Sequence, residues 1–209
     1  MTAVPAQETA PRALSPITLA IDCSTSVLAL ALVGRGDGAS AATTLASSAE
    51  EVGRQHAALL TVHLTDLFAR AGVRRDAVGR VHVGIGPGSY TGVRVAVAAA
   101  KGLSRAWGVE VFGVYSLLAQ AGDALAVGAE AVVTRDARRG NVYAQPCVRL
   151  ADDHGAAPHR IVALAPPVKV PLDMVAERFA GLRVVSASRP DAAVLAVSSD
   201  MRAPEPLYL

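Results

Sequence analysis

Apolar residues recur along this chain with two different spacings. Short runs rich in valine, alanine and leucine predict strands at residues 17–21, 27–33, 39–46, 81–85, 109–114, 132–134, 141–150 and 182–187. Three- and four-residue spacing predicts helices at residues 51–71, 92–107, 116–126, 171–180 and 190–197. Three strands followed by alternating helices and strands predict an α/β fold with mixed sheets flanked by helices.

The length of the chain permits one large domain or two small ones. It has 209 residues, of which 52% are hydrophobic, enough to bury a substantial core. The first sixteen residues include three prolines and no long apolar run, so we expect a disordered leader at 1–16. We expect an N-terminal domain at 17–110 and a smaller C-terminal α/β domain at 111–209.

The composition of the chain limits where the protein is expected in the cell and which partners it is expected to bind. Two cysteines, Cys23 and Cys147, form neither a disulfide framework nor a CxxC pair, which fits a reducing cytoplasm. No stretch has the length of a membrane span or a signal sequence, so we expect a soluble cytoplasmic protein without membrane contact. A net charge of +2 and 4% aromatic residues disfavour direct readout of single-stranded RNA.

A glycine-rich turn between a strand and a helix is the strongest candidate site. Gly84, Gly86 and Gly88 allow close backbone approach, and Ser89 can cap the helix that follows, whose free N–H groups favour an anion. The turn is not a Walker A loop, because that loop needs a lysine directly after its last glycine, and here Gly92 is followed by Val93. The alternative is that these glycines only shape a turn and pack a helix against a sheet.

Two other polar turns carry residues suited to a ligand. Asp22, Ser24 and Thr25 lie between the first two strands and suit a nucleotide phosphate or its magnesium, although they are also ordinary turn residues. The segment 136–143 contains Asp136, Arg138, Arg139 and Tyr143; its paired arginines suit phosphate or carboxylate, or form a solvated hairpin tip.

These segments together resemble the TsaB (YeaZ) family. The resemblance rests on residues 19–25, on the glycine turn with residues 100–103 after it, and on residues 136–143. It implies two ribonuclease-H-like half-domains of the actin-like ATPase (ASKHA) fold. It also implies a non-catalytic scaffold for the transferase TsaD in making threonylcarbamoyladenosine at tRNA position 37, together with the ATPase TsaE. ATP would be used by the partner subunits, tRNA would be met only through the complex, and the isolated chain would form a homodimer.

Departures from related motifs sharpen this expectation. Cys23, Tyr90 and Asn141 replace the usual threonine, phenylalanine and glutamate. The His-x-x-x-His metal pair of TsaD falls on Ser116 and Gln120, which cannot hold a divalent ion with comparable strength, so we expect no metal and no catalytic residue.

Two helices, at 51–71 and 92–107, are expected to contact TsaD or a second copy of the chain. Their small or apolar faces suit another helix, and the two histidines of the first helix lie too far apart for one metal. The predicted contact residues are His56, Leu59, Leu60, His63, Arg94, Ala98, Ala99, Lys101 and Gly102. The alternative function is an ATP-dependent phosphotransferase that uses Asp22 and the glycine turn to hold magnesium and phosphate.

Overall fold

The computed structural model describes residues 15–35, 41–122, 125–151 and 158–209. Most of the expected leader at 1–16 and the glycines at 36 and 38 therefore lie outside the described residues. Within them the expected fold class is confirmed: two mixed sheets are flanked by helices.

The first sheet has five strands in the order β3-β2-β1-β4-β5. Strands β1, β2 and β3 are antiparallel neighbours, whereas β4 and β5 run parallel to β1. The strands are β1 Ser15–Asp22, β2 Val27–Arg35, β3 Ala42–Glu51, β4 Val78–Gly84 and β5 Glu110–Val114. Helices α1 His56–Ala71 and α2 Tyr90–Trp107 connect them, with a 3-10 turn at Arg75–Ala77.

The second sheet has the order β10-β6-β7-β8, and β9 also pairs with β7. Its strands are β6 Glu130–Asp136, β7 Asn141–Arg149, β8 Ile161–Ala163, β9 Val168–Pro171 and β10 Arg183–Ser186. The short helices are α3 Ser116–Ala119, α4 Val175–Arg178 and α5 Ala192–Ala196, with a 3-10 turn at Leu172–Met174.

Both faces of the first sheet are covered. Every residue of β2 from Leu28 to Leu32 is fully buried, and successive strand residues point to opposite faces. Helices α1 and α2 pack side by side, with the rings of Phe68 and Trp107 edge to face at 5.9 Å. Helix α5, from the C-terminal half, contacts β1 and β2 of the same sheet.

The domain division expected at residue 110 stays a prediction. Strand β5 lies just beyond this position and pairs in parallel with β4, so it completes the first sheet. Together with α5, it places part of the C-terminal half in the core of the N-terminal half.

Several predicted boundaries differ from those observed. The helix expected at 51–71 begins at His56, because the chain stays extended to Glu51, which pairs with Val27. The helix expected at 116–126 ends at Ala119, and Gly122 adopts a left-handed φ of 47°. The helix expected at 171–180 is a 3-10 turn followed by α4.

Candidate functional site

The glycine turn packs directly against the turn that joins β1 and β2. The predicted order of strand, turn and helix is confirmed, with β4 ending at Gly84 and α2 beginning at Tyr90, two residues before its predicted start. Ser89 caps α2, because its side-chain oxygen accepts a hydrogen bond from the Gly92 N–H at 3.2 Å. The Ser89 N–H in turn donates to the Ser24 carbonyl at 2.7 Å, which joins the two turns.

Three glycines spaced four residues apart permit this contact. A Cβ added at Gly84 would overlap the Asp22 carboxylate and lie 2.6 Å from Ser116 Oγ. A Cβ at Gly88 would overlap the Ser24 carbonyl oxygen, and one at Gly92 would overlap the Cys23 carbonyl oxygen. The glycines are therefore required by close packing within the chain, whatever else the turn does.

Asp22 is the centre of a buried polar network between the two turns. Its Oδ1 accepts hydrogen bonds from the Ser24 N–H at 2.9 Å and from the Ser24 hydroxyl at 2.7 Å. Its Oδ2 faces Gly84 and the Ser116 hydroxyl, but it has no partner in hydrogen-bond geometry among the described residues. Ser116 Oγ accepts a hydrogen bond from the Gly86 N–H at 3.0 Å, which holds the hydroxyl in place.

The network continues across to the second sheet. Gln120 donates through Nε2 to Ser24 Oγ at 3.1 Å, and its Oε1 accepts from Arg135 Nη1 at 2.6 Å. Arg135 belongs to β6, whereas Ser24 belongs to the β1–β2 turn. The side chain of Gln120, which is fully buried, thus links the two sheets.

Burial dominates the electrostatics of this network. Removal from water raises the pKa of Asp22 above its usual 3.8, although Ser116, Ser24 and the charge of Arg135 act in the opposite direction. The same desolvation lowers the pKa of Arg135, opposed by the charges of Asp22 and Asp136. The ionised carboxylate is therefore costly to bury here, and its Oδ2 has no hydrogen-bond partner among the described residues to offset that cost.

The possible nucleotide turn is occupied by the chain's own atoms. Asp22, Ser24 and Thr25 are all buried, and Thr25 Oγ1 accepts a hydrogen bond from the Val27 N–H at 2.9 Å as an ordinary turn residue. Gly86 is buried, Gly88 is partly exposed and Ser89 is exposed.

The arginine turn at 136–140 is a hydrogen-bonded hairpin tip. Asp136 Oδ1 accepts from the Arg138 N–H at 2.9 Å, and Asn141 Nδ2 donates to the Arg139 carbonyl at 3.1 Å. Arg138 and Arg139 have φ values of 65° and 53° and are exposed. Tyr143 follows on β7, opposite Arg135, so the two side chains lie on the same face of the sheet.

The predicted contact residues on α1 and α2 divide by burial. His56 and Leu60 are 4% and 7% exposed and pack within the chain's own core, which removes them from the predicted contact surface. The other members keep accessible surface: Leu59, His63 and Ala99 in part, and Arg94, Ala98, Lys101 and Gly102 more fully.

The sequence analysis did not identify Arg135 as part of this network. It identified Gln120 only as the residue at the position of a metal-binding histidine in TsaD. Strand alternation was the available signal, because it directs Arg135 and Tyr143 to one face once their hairpin is recognised. In the described part of the chain, no three His, Cys, Asp or Glu side chains are grouped to hold a metal ion. None of the helices described is long and apolar enough to cross a membrane.

Fold and site together define an actin-like ATPase fold in which a buried hydrogen-bonded network joins the β1–β2 turn and the glycine turn to the second sheet. Residues 41–178 match the family model described as TsaD, tRNA N6-adenosine threonylcarbamoyltransferase. The chain is 34% identical to an uncharacterized protein of Mycobacterium tuberculosis over 91% of its own length and 90% of that protein's. It is 32% identical to the tRNA threonylcarbamoyladenosine biosynthesis protein TsaB of Escherichia coli, over 60% of this chain and 52% of that protein.

Solved structures agree with this match. YeaZ from Pseudomonas aeruginosa superimposes with a TM-score of 0.69 at 23% identity, covering 93% of this chain and all of that one. This likeness supports the fold. The chain belongs to the TsaB (YeaZ) family.

Proposed function

We propose that this chain is a non-catalytic subunit in the biosynthesis of threonylcarbamoyladenosine in tRNA. In this role it supports a TsaD-like transferase, together with a TsaE-like ATPase. Relatives bear the name of a biosynthesis protein for this modified nucleoside. The observation that carries the non-catalytic role is the network at Ser116 and Gln120, the positions where the resemblance to TsaD would require metal-binding histidines. Their hydrogen bonds are made within the chain.

The contact surface proposed for the partner is the outer side of α1 and α2. Val62 on α1 is 62% exposed, and Ala98 and Gly102 on α2 are also exposed. Small side chains at these positions let a second helix approach closely. A transferase subunit of the related fold, or a second copy of this chain when the transferase is missing, fits this surface.

The alternative function is an ATP-dependent phosphotransferase, and the network argues against it. Asp22 is fully buried, so magnesium or phosphate could reach its carboxylate only if the turns packed around it moved apart. We therefore expect no cofactor in this chain, with ATP used by the partner subunits. We expect the complex in the cytoplasm, and tRNA binding that depends on the complex.

Co-purification with a TsaD-like subunit tests the partner surface. We expect stoichiometric recovery with the wild-type chain, and loss of recovery with Ala98→Glu, because the new charge would be buried unpaired in the contact. Ala176→Glu, at an exposed position of α4, is the matched control and should behave as wild type. Full recovery with glutamate at Ala98 and at exposed positions of α1 would refute this surface.

Reconstituted transfer of threonylcarbamoyl to tRNA tests the role itself. We expect activity only when this chain is added to the transferase and the ATPase. The isolated chain should hydrolyse ATP no faster than a buffer blank and should retain no stoichiometric transition metal. A full equivalent of bound zinc or iron, or turnover of ATP, would favour the enzyme instead.

A further inference from the structure

Three of the four tyrosines of this chain converge on one cavity. Tyr90, Tyr143 and Tyr208 line a cleft of about 260 Å³ at the start of α2. Its apolar wall is formed by Val93 and Leu207, and the Leu207 N–H donates to the Ile85 carbonyl at 2.8 Å, which fixes the tail beside the glycine turn. Three of the eight aromatic residues of the chain thus lie at one place.

The rings at the mouth of this tyrosine cleft are exposed. Tyr90 is 58% and Tyr208 is 53% exposed, and their ring centroids lie 5.2 Å apart at an angle of 35°. The Arg94 guanidinium lies 4.5 Å from the centroid of the Tyr90 ring, within the range of a cation–π contact. Because Arg94 and Tyr208 both lie against the Tyr90 ring, the exposed ring of Tyr208 is the face on which another planar group can stack.

The two elements that contribute Tyr90 and Tyr143 to the tyrosine cleft also carry positive charge. Arg94 contacts Tyr90 from one turn further along α2, a helix without acidic residues. In the other element, the exposed Arg138 and Arg139 precede Tyr143 in the hairpin. Two acidic residues lie nearby in sequence: Asp136 accepts a hydrogen bond from the Arg138 N–H, and Glu205 is three residues before Tyr208.

We propose that the tyrosine cleft binds an unpaired nucleobase of an RNA strand. The base stacks on the exposed ring of Tyr208, which the Tyr90 ring supports from behind, and an adjacent phosphate contacts Arg94. This inference rests on the proposed function, because it adds a direct RNA contact to a chain expected to meet tRNA through its complex. Stacking on aromatic rings with phosphate-directed cations is the chemistry by which proteins hold single strands without reading their sequence.

The test measures binding of an unmodified tRNA transcript to the complex with the transferase subunit, by fluorescence anisotropy. Tyr90→Ala and Tyr208→Ala should each weaken binding by about tenfold, the typical loss for one stacked base. Tyr90→Phe keeps the ring and should bind as wild type. Arg94→Gln should lower the slope of log affinity against log salt by about 0.7, as expected for one lost phosphate contact.

Leu164→Ala is the matched control for loss of an exposed apolar side chain, since Leu164 is 46% exposed and follows β8. It should leave RNA affinity unchanged. A single-stranded oligonucleotide should compete for the tyrosine cleft, whereas adenosine monophosphate at the same nucleotide concentration should not. Equal competition by the mononucleotide would identify a free nucleotide as the ligand and overturn the assignment to an RNA strand.

The remaining outcomes separate this inference from the proposed function. If both alanine variants form the complex and bind tRNA as wild type, the inference is wrong and the scaffold role stands. If they lose the transferase instead, the cleft is a protein contact, which also overturns it. If the wild-type chain fails to co-purify with the transferase, the proposed function fails, and binding of the oligonucleotide to the isolated chain and its tyrosine variants decides the inference.

Discussion

Two glycines of helix α2 should respond in opposite directions to the same substitution. A Cβ at Gly92 would overlap the Cys23 carbonyl oxygen and approach Ser89 Oγ to 3.2 Å, whereas a Cβ at Gly102 meets nothing within 4 Å. Both variants replace glycine by alanine in one helix, so each gains helix propensity, up to about 1 kcal/mol. The difference between them reports the contact with the β1–β2 turn.

The magnitudes follow from these contacts. Overpacking against backbone costs about 1–3 kcal/mol, and disturbing the Ser89 cap costs about 1 kcal/mol more. Gly92→Ala should therefore lower the unfolding free energy by about 2 kcal/mol net, and Gly102→Ala should raise it by about 0.5–1 kcal/mol. For a chain of this size the shifts correspond to about 4–8 °C downward and about 1–4 °C upward in Tm.

Differential scanning calorimetry, with urea denaturation as a second measurement, checks both variants. The reasoning is refuted if Gly92→Ala is as stable as wild type, because the glycine turn would then not press against the β1–β2 turn. It is also refuted if the two variants shift in the same direction by the same amount, since helix propensity alone would then explain both.

Three further predictions concern buried polar groups. Because burial raises the pKa of Asp22, ionisation costs stability once the pH exceeds 3.8, so Asp22→Asn should melt higher than wild type near pH 7 and lose that advantage below about pH 4. His82, whose Nδ1 donates to the Leu195 carbonyl, has a pKa lowered by burial; wild type should therefore lose stability relative to His82→Gln in thermal scans as pH falls below 6.5. Arg135→Met removes a charge-assisted hydrogen bond to Gln120 and should lower the urea-derived unfolding free energy by about 2 kcal/mol, whereas an unchanged value would mean that the link between the sheets contributes nothing.

Much of the fold follows from local patterns, and the differences have local causes. The cap at Ser89 and the turn at Asp22 were predicted because their chemistry is contained within a few residues. Helix α1 was predicted to start at residue 51, but it starts at His56. The difference arises because pairing with β2 keeps Glu50 and Glu51 extended. Sequence spacing does not reveal that pairing, since the strand partner is about twenty residues away.

The candidate site was harder to predict than the fold because its residues are distant in sequence. Gln120 hydrogen-bonds to Ser24, 96 residues earlier, and no motif contains both. Tyr208 stacks with Tyr90 from the far end of the chain. An aromatic content of 4% argues against RNA contact if the aromatic residues are scattered over the chain. The fold instead brings three tyrosines together around one cleft.

The glycine motif alone does not distinguish a non-catalytic subunit from an ATP-dependent phosphotransferase. Gly84, Gly88 and Gly92 are each needed for a close contact with the β1–β2 turn. This packing requires glycine whether or not the turn binds phosphate. Gln120 is more informative, because its amide joins Ser24 to Arg135 where a kinase would require room for metal and phosphate. A nucleotide could reach Asp22 only if the packed turns around it moved apart, because the carboxylate is fully buried. The balance of contacts therefore favours a structural role for the turn, and the exposed helices and the tyrosine cleft are the surfaces that we propose for the partner subunit and for RNA.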